Sequence, residues 1–194
     1  MAFTDKYSEW RTSSLRSVKP EVDFTSPGLA VMEVERLFFS GKAINSHADE
    51  VWPRLYIGDM NIAENRSELT RNNFTHIVNC AHSSRRGGEF YDGMGITYLG
   101  IEAHDSPTYD MSANFNTGAE FIHKALSGRG KVLVHCHVGV SRSATMVLAY
   151  LMLKQNMTLV EAITTVKEGR GVIPNRGFIR QLIDLHVRLY GYRS

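Results

Sequence analysis

The sequence predicts an α/β fold: a single domain with a central, mostly parallel, twisted sheet of about five strands, flanked by helices on both faces. Two observations carry that expectation. Short apolar runs rich in β-branched residues alternate along the chain with longer stretches of helical periodicity. One run, "KVLVHC" (131–136), has the look of a strand buried on both faces, and a strongly apolar helical stretch follows it. The 194 residues suit one such domain with an irregular extension.

Residues 1–27 are polar, carry two prolines and have little periodicity, so a flexible N-terminal extension is expected. Residues 28–45 read as an accessory helix and linker. In "PGLAVMEVERLFFSG" the apolar positions Leu29, Met32, Leu37 and Phe38 roughly follow one helical face, with Gly41 as the stop. That helix either packs on the domain or offers a partner surface. Residues 46–194 form the expected main domain. "EVWPRLYIG" (50–58) reads as a strand, with Pro53 placing part of it at an edge. "NIAENRSELTRN" (61–72) reads as a polar helix, and "THIVNCA" (75–81) and "GITYLGIEA" (95–103) as strands. "MSANFNTGAEFIHKALS" (111–127) is helical with Asp110 as its cap, and "SATMVLAYLMLKQ" (143–155) is an apolar helix. "TLVEAITTVKEG" (158–169) opens on a capping-box pattern, Thr158 with Glu161. "NRGFIRQLIDLHVRLYG" (175–191) closes the fold with Asn175 as cap.

Composition narrows the function. Charged residues are 22% and the net charge is +2, so neither a nucleic-acid partner nor membrane attraction is implied. No apolar run approaches the ~20 residues that span a bilayer. The first residues lack the apolar centre of a secretory signal. Two cysteines, Cys80 and Cys136, make no disulfide scaffold. A soluble protein of the cytoplasm, and of the nucleus as a second location, is expected.

The chemistry concentrates in "VLVHCHVGVSRSA" (132–144). A strand ends, a loop with Gly139 follows, and a helix begins near Arg142. Such a loop aims backbone N–H groups at one point, and the helix dipole adds about half a positive charge there. Cys136 at the edge of this cradle is a thiol whose pKa should fall. Arg142, at the other lip, has a planar fork that holds two phosphate oxygens. A nucleophile and an oxyanion clamp around one anion hole suit phosphoryl transfer. A metal site at His135, Cys136 and His137 fits less well, because adjacent residues of an extended segment point opposite ways and no second ligand cluster appears. A purely structural Cys136 leaves Gly139, Arg142 and the helix start as coincidence.

His135-Cys136, five residues, then Arg142-Ser143 resembles the signature loop of cysteine-based protein phosphatases. "HCHVGVSRSATMVLAYLM" resembles the dual-specificity branch, in particular its small atypical, VH1-related members. "DEVWPRLYIGD", "THIVNCA", "YLGIEAHD", "MTLVEAI" and "PNRGF" are similar to that family. "ERLFFSG" is similar to the N-terminal helix of its muscle and testis members.

The resemblance implies a phosphatase acting on phosphotyrosine and on phosphoserine and phosphothreonine through a cysteinyl-phosphate, without metal or other cofactor. Asp105 in "IEAHDSPTYD" matches the family's general acid, with Asp110 the competing candidate. Ser143 matches the hydroxyl that stabilises the cysteine as leaving group, or else caps its helix. His135 supports the loop. His137, Val138, Gly139, Val140 and Ser141 line the phosphate site, and His137 adds a group that titrates near neutrality. Asn175 braces the loop or is a plain cap. Arg170 matches a position that binds a second phosphate, unless it is a solvated surface residue. Cys80 is a small buried hydrophobe or a redox partner of Cys136. No lipid- or RNA-phosphatase loop pattern is present, which favours phosphoprotein substrates, with mitogen-activated protein kinases as the family-level expectation. A homodimer through the N-terminal helix stays open, as does a phosphoprotein-binding scaffold with little turnover.

Overall fold

A computed structural model describes residues 20–41, 45–85 and 87–193. Most of the expected extension 1–27, and part of the expected linker 28–45, lie outside them. Within them the chain forms one five-stranded sheet, β1 (Ala48–Trp52), β2 (Leu55–Gly58), β3 (His76–Asn79), β4 (Thr97–Gly100) and β5 (Val132–His135). The spatial order is β1-β2-β5-β3-β4. β1 and β2 are antiparallel; the β2–β5, β5–β3 and β3–β4 pairs are parallel. The helices are α1 (Pro27–Phe38), α2 (Met60–Ala63), α3 (Arg66–Arg71), α4 (Phe115–Ser127), α5 (Arg142–Lys154), α6 (Leu159–Gly169) and α7 (Arg176–Tyr190).

β5 lies at the centre of the sheet, and every one of its residues is buried. Side chains alternate across the sheet. Val132 and Val134 join the larger core with Leu55, Ile57 and Val78, against residues of α4 to α7. Leu133 and Ile77 face the other way, into a smaller core with Ile62, Leu69, Phe74 and Tyr91. Both faces are therefore covered, one by long helices and one by the short α2, α3 and a 3₁₀ turn at Gly88–Tyr91. Gly58, Asn79 and His135 share one register level. The carboxyl ends of β2, β3 and β5 thus open at the same edge, where ligands bind in sheets of this kind.

Four expected elements differ. The single strand 50–58 is a hairpin, because Pro53 and Arg54 form the turn and Arg54 takes φ +61°. The Arg54 guanidinium donates to the carbonyls of Gly130 and Leu126, which anchors that conformation. The helix 61–72 is two, since Asn65 accepts from the Glu68 N–H and restarts the helix. Asp110 is not the cap of α4. Its carboxylate takes the Ser112 hydroxyl, Ser112–Asn114 form a 3₁₀ turn, and α4 starts at Phe115. On α1 the buried face is Ala30, Val31, Val34 and Phe38, while Leu29 and Met32 are 51% and 47% exposed. The helix ends at Phe38, short of Gly41, and the buried Lys167 ammonium donates to the Phe38 carbonyl. α1 packs on α6 and α7. Among the described residues no helix is long and apolar enough to cross a membrane.

The α6 capping box is formed in full: Thr158 Oγ1 accepts from the Glu161 N–H, and Glu161 accepts from the Thr158 N–H. Thr158→Ala should therefore lower stability by about 1 kcal/mol, read as a fall in the urea unfolding midpoint with an unchanged slope.

Candidate active site

The loop 136–141 joins buried β5 to the N-terminus of α5. Cys136 Sγ lies 3.3 Å from Ser143 Oγ, and the Gly139 N–H donates to the same sulfur at 3.3 Å. Burial alone pushes this thiol up. The Ser143 hydroxyl, the Ser143 and Gly139 N–H groups and the Arg142 charge outweigh it, so the pKa falls below the ordinary cysteine value. Arg142 is nearly buried, and its Nη1 donates to the Ala103 carbonyl at 2.9 Å. Its buried Nε finds no acceptor among the described residues. Ser143 is wholly buried against the sulfur and does not cap α5.

Asp105 follows β4 on an exposed loop. Its Oδ1 accepts from Ser141 Oγ and from Asn175 Nδ2, each at 2.8 Å. Ser141, the residue before α5, uses its hydroxyl on this carboxylate and on the Asn175 N–H. Asn175 also caps α7, accepting from the Phe178 N–H at 3.0 Å. Both readings of Asn175, cap and brace, hold together. Gly177, one residue into α7 from Arg176, makes the support close: a Cβ there would lie 2.0 Å from the Pro107 carbonyl oxygen.

His135 and His137, two residues apart, separate because β5 ends at His135 and the chain turns into the loop. His135 is fully buried, and burial pushes its pKa down to about 4, so the ring is neutral. Its Nδ1–H donates to the Cys136 carbonyl at 3.1 Å, which fixes the tautomer. His137 is exposed, as is Val138. Among the described residues no group of three His, Cys, Asp or Glu side chains could hold a metal ion.

Arg170 needs correction on one point: it is not a solvated surface residue. The side chain is 1% exposed and donates to the carbonyls of Gly139, Val138 and Ser46 and to the Asp49 carboxylate. Those bonds turn its fork to the back of the loop, away from the side where the sulfur lies.

Cys80 directly follows β3, and its N–H donates to the His135 carbonyl at 2.8 Å. It is a buried free thiol, with its pKa pushed up by burial and then by the neighbouring Cys136 charge. Sequence reasoning missed Asp49, Ala103, Met60 and Ile173. The last three serve the site through backbone atoms, which residue type does not encode; Asp49 has no distinguishing pattern.

This sheet, with the Cys136 sulfur and the Arg142 guanidinium at one strand-to-helix loop, has the form of a cysteine-dependent phosphatase. A family profile described as the dual specificity phosphatase catalytic domain matches residues 55–188. The chain belongs to that family, as an atypical dual-specificity phosphatase of the cysteine phosphatase superfamily and a hydrolase of phosphoproteins. It is 62% identical over 165 residues to dual specificity protein phosphatase 26 of Homo sapiens, covering 84% of this chain and 78% of that one. Among solved structures it resembles human DUSP28, with a TM-score of 0.68 and 28% identity over 76% of this chain and 98% of that one. It also resembles DUSP15, with a TM-score of 0.64 and 31% identity over 72% and 86% of the two chains.

Two outcomes follow from the electrostatics. Ser143→Ala removes a donor to the sulfur, so the pH midpoint of Cys136 alkylation should rise. His135 has a folded pKa below its ordinary 6.5, so its contribution to stability is complete above that value and is lost as the pH falls toward 4. The urea midpoint of the wild type should therefore drop more between about pH 7 and about pH 5 than that of His135→Gln.

Proposed function

We propose that the enzyme hydrolyses phosphotyrosine, phosphoserine and phosphothreonine through a cysteinyl-phosphate, with Cys136 as nucleophile, Arg142 as clamp and Asp105 as general acid and base. The observation that carries this reading is the Cys136 sulfur held by donors from Ser143 and Gly139 beside an Arg142 Nε that has no acceptor among the described residues.

In the first step the thiolate attacks phosphorus, the bond to the substrate oxygen breaks, and Asp105 gives that oxygen its proton. In the second step water attacks phosphorus and passes a proton to the Asp105 carboxylate. The sulfur–phosphorus bond breaks, releasing phosphate and regenerating the thiolate. The Ser143 hydroxyl, 3.3 Å from the sulfur, stabilises the departing thiolate. Arg142 and the loop amides bear the charge that develops on the phosphoryl oxygens, so no metal enters the scheme.

His137, Val138, Gly139, Val140 and Ser141 form the phosphate site in this reading. The exposed side chains of His137 and Val138 face the substrate protein, for which mitogen-activated protein kinases are the proposed class. Two buried free thiols, one of them the nucleophile, support work in the reducing cytoplasm and nucleus. Exposed Leu29 and Met32 support a homodimer through α1. Cys80 is the proposed resolving thiol; what supports this is that β3 and β5 are adjacent and that the residues just before the two cysteines, Asn79 and His135, are register partners.

The test uses the full chain with an aryl phosphate and with phosphotyrosine and phosphothreonine peptides. Cys136→Ser should abolish turnover, and Asp105→Asn should lower kcat by about 10²–10⁴-fold. Turnover that survives in Cys136→Ser overturns the mechanism. Tight phosphopeptide binding by a wild type that does not turn over points instead to a scaffold. Mild peroxide should yield a Cys80–Cys136 cross-linked peptide by mass spectrometry, and its absence overturns the redox role.

A further inference from the structure

A peptide carbonyl and the N–H that follows it lie in one rigid plane and point in opposite directions within it. A loop whose carbonyls are all held behind it must therefore present its amides in front. Five successive carbonyls of the phosphate loop are held in this way. Cys136 O accepts from His135 Nδ1–H, His137 O from the Met60 N–H, and Val140 O from the Ile173 N–H. The two central ones, Val138 O and Gly139 O, both accept from Arg170, at 3.1 Å from Nη2 and 2.8 Å from Nε.

The consequence is visible at the sulfur. Holding Val138 O behind the loop aims the Gly139 N–H forward, where it donates to Cys136 Sγ. Holding Gly139 O turns the Val140 N–H with its plane. The fork in turn is fixed at its far end. Nη1 donates to the Asp49 carboxylate and the Ser46 carbonyl, each at 2.7 Å, on the edge strand and the residues before it. The contact admits nothing between: a Cβ at Gly139, which has φ +75°, would lie 2.7 Å from Arg170 Nη2 and 2.5 Å from the Gly58 carbonyl oxygen.

We propose that Arg170, anchored by Asp49, is a positioning residue that sets the aim of the phosphate-loop amides from behind and so governs the phosphate affinity of the loop and the reactivity of Cys136. This rests on the reading of Cys136 as the nucleophile. Lysine keeps the charge at this position, but its three N–H groups radiate from one nitrogen and cannot span the carbonyls and carboxylate that Nε, Nη1 and Nη2 reach separately.

The test compares the full-length wild type with Arg170→Lys and Asp49→Asn. Three quantities are read: the pH midpoint of Cys136 alkylation by iodoacetamide, the protection of Cys136 by inorganic phosphate, and kcat/KM on an aryl phosphate. Arg170→Lys should raise the alkylation midpoint and weaken phosphate protection. It should also lower kcat/KM by about 10²-fold, the usual cost of a misplaced catalytic geometry. Asp49→Asn keeps the volume and one acceptor oxygen for Nη1, so it should fold and move all three readouts the same way by less. If Arg170→Lys does not give a cooperative melt, Asp49→Asn decides alone. Unchanged alkylation midpoint and phosphate protection in a folded variant overturn the proposal. So does a defect confined to KM for doubly phosphorylated peptides, which would mark Arg170 as a substrate contact. Failure of phosphate to protect Cys136 in the wild type would instead sink the phosphate-loop reading itself, because alkylation reports on the thiol without turnover.

Discussion

Cys136 is only 3% exposed and its thiol is nonetheless held below the ordinary cysteine pKa, and the surrounding structure answers that constraint. Burial disfavours a thiolate, so the fold must surround it with fixed donors. It does so by ending its central, fully buried strand at His135 and starting α5 at Arg142. The short loop between them has its amides gathered, a guanidinium at one lip and a hydroxyl beneath. The apolar packing of β5 and α5 keeps these donors from relaxing toward water. A buried neutral His135 fits the same constraint, since its bond to the Cys136 carbonyl fixes the loop without adding a second charge.

The second layer is polar and comes from far along the chain. Ser141, Asp105 and Asn175 meet in one cluster, so that the loop after β4, the loop before α5 and the start of α7 are tied together. Asp105 is thereby set at the rim by the residues that also shape the phosphate loop and cap α7. The general acid of the proposed mechanism and the phosphate cradle share their supports.

Much of this is legible in sequence wherever the signal is local. The alternation of strands and helices follows from periodicity. The Cys136-to-Arg142 spacing, the Thr158 capping box and the Asn175 cap each lie within a few residues. The losses are equally physical. The Pro53–Arg54 turn carries no Gly or Asn to announce its positive φ, because the Arg54 side chain stabilises it through distant carbonyls. The buried face of α1 escapes the pattern because small Ala30 and the two valines pack inward while the larger Leu29 and Met32 do not. Arg170 escapes it because arginine is so seldom buried that residue type argues for the surface. Only the tertiary fold brings Asp49 and three backbone carbonyls to its fork.

Lys167 and Arg170 lie one turn apart at the end of α6, and they hold two distant parts of the chain. Arg170 grips the phosphate loop; Lys167, buried, donates to the last carbonyl of α1. α1 is gripped a second time where Glu35 takes a bidentate bond from Arg176, the residue after Asn175. A unit cut to the family-matched span, 55–188, loses Asp49, Ser46 and Phe38 together. It would leave the Lys167 ammonium without the Phe38 carbonyl, and the Arg170 guanidinium with the Val138 and Gly139 carbonyls but without Asp49 and Ser46. α1 is thus fastened to the same helix whose C-cap residue, Arg170, holds the loop 136–141, so that the N-terminal helix and that loop share one support.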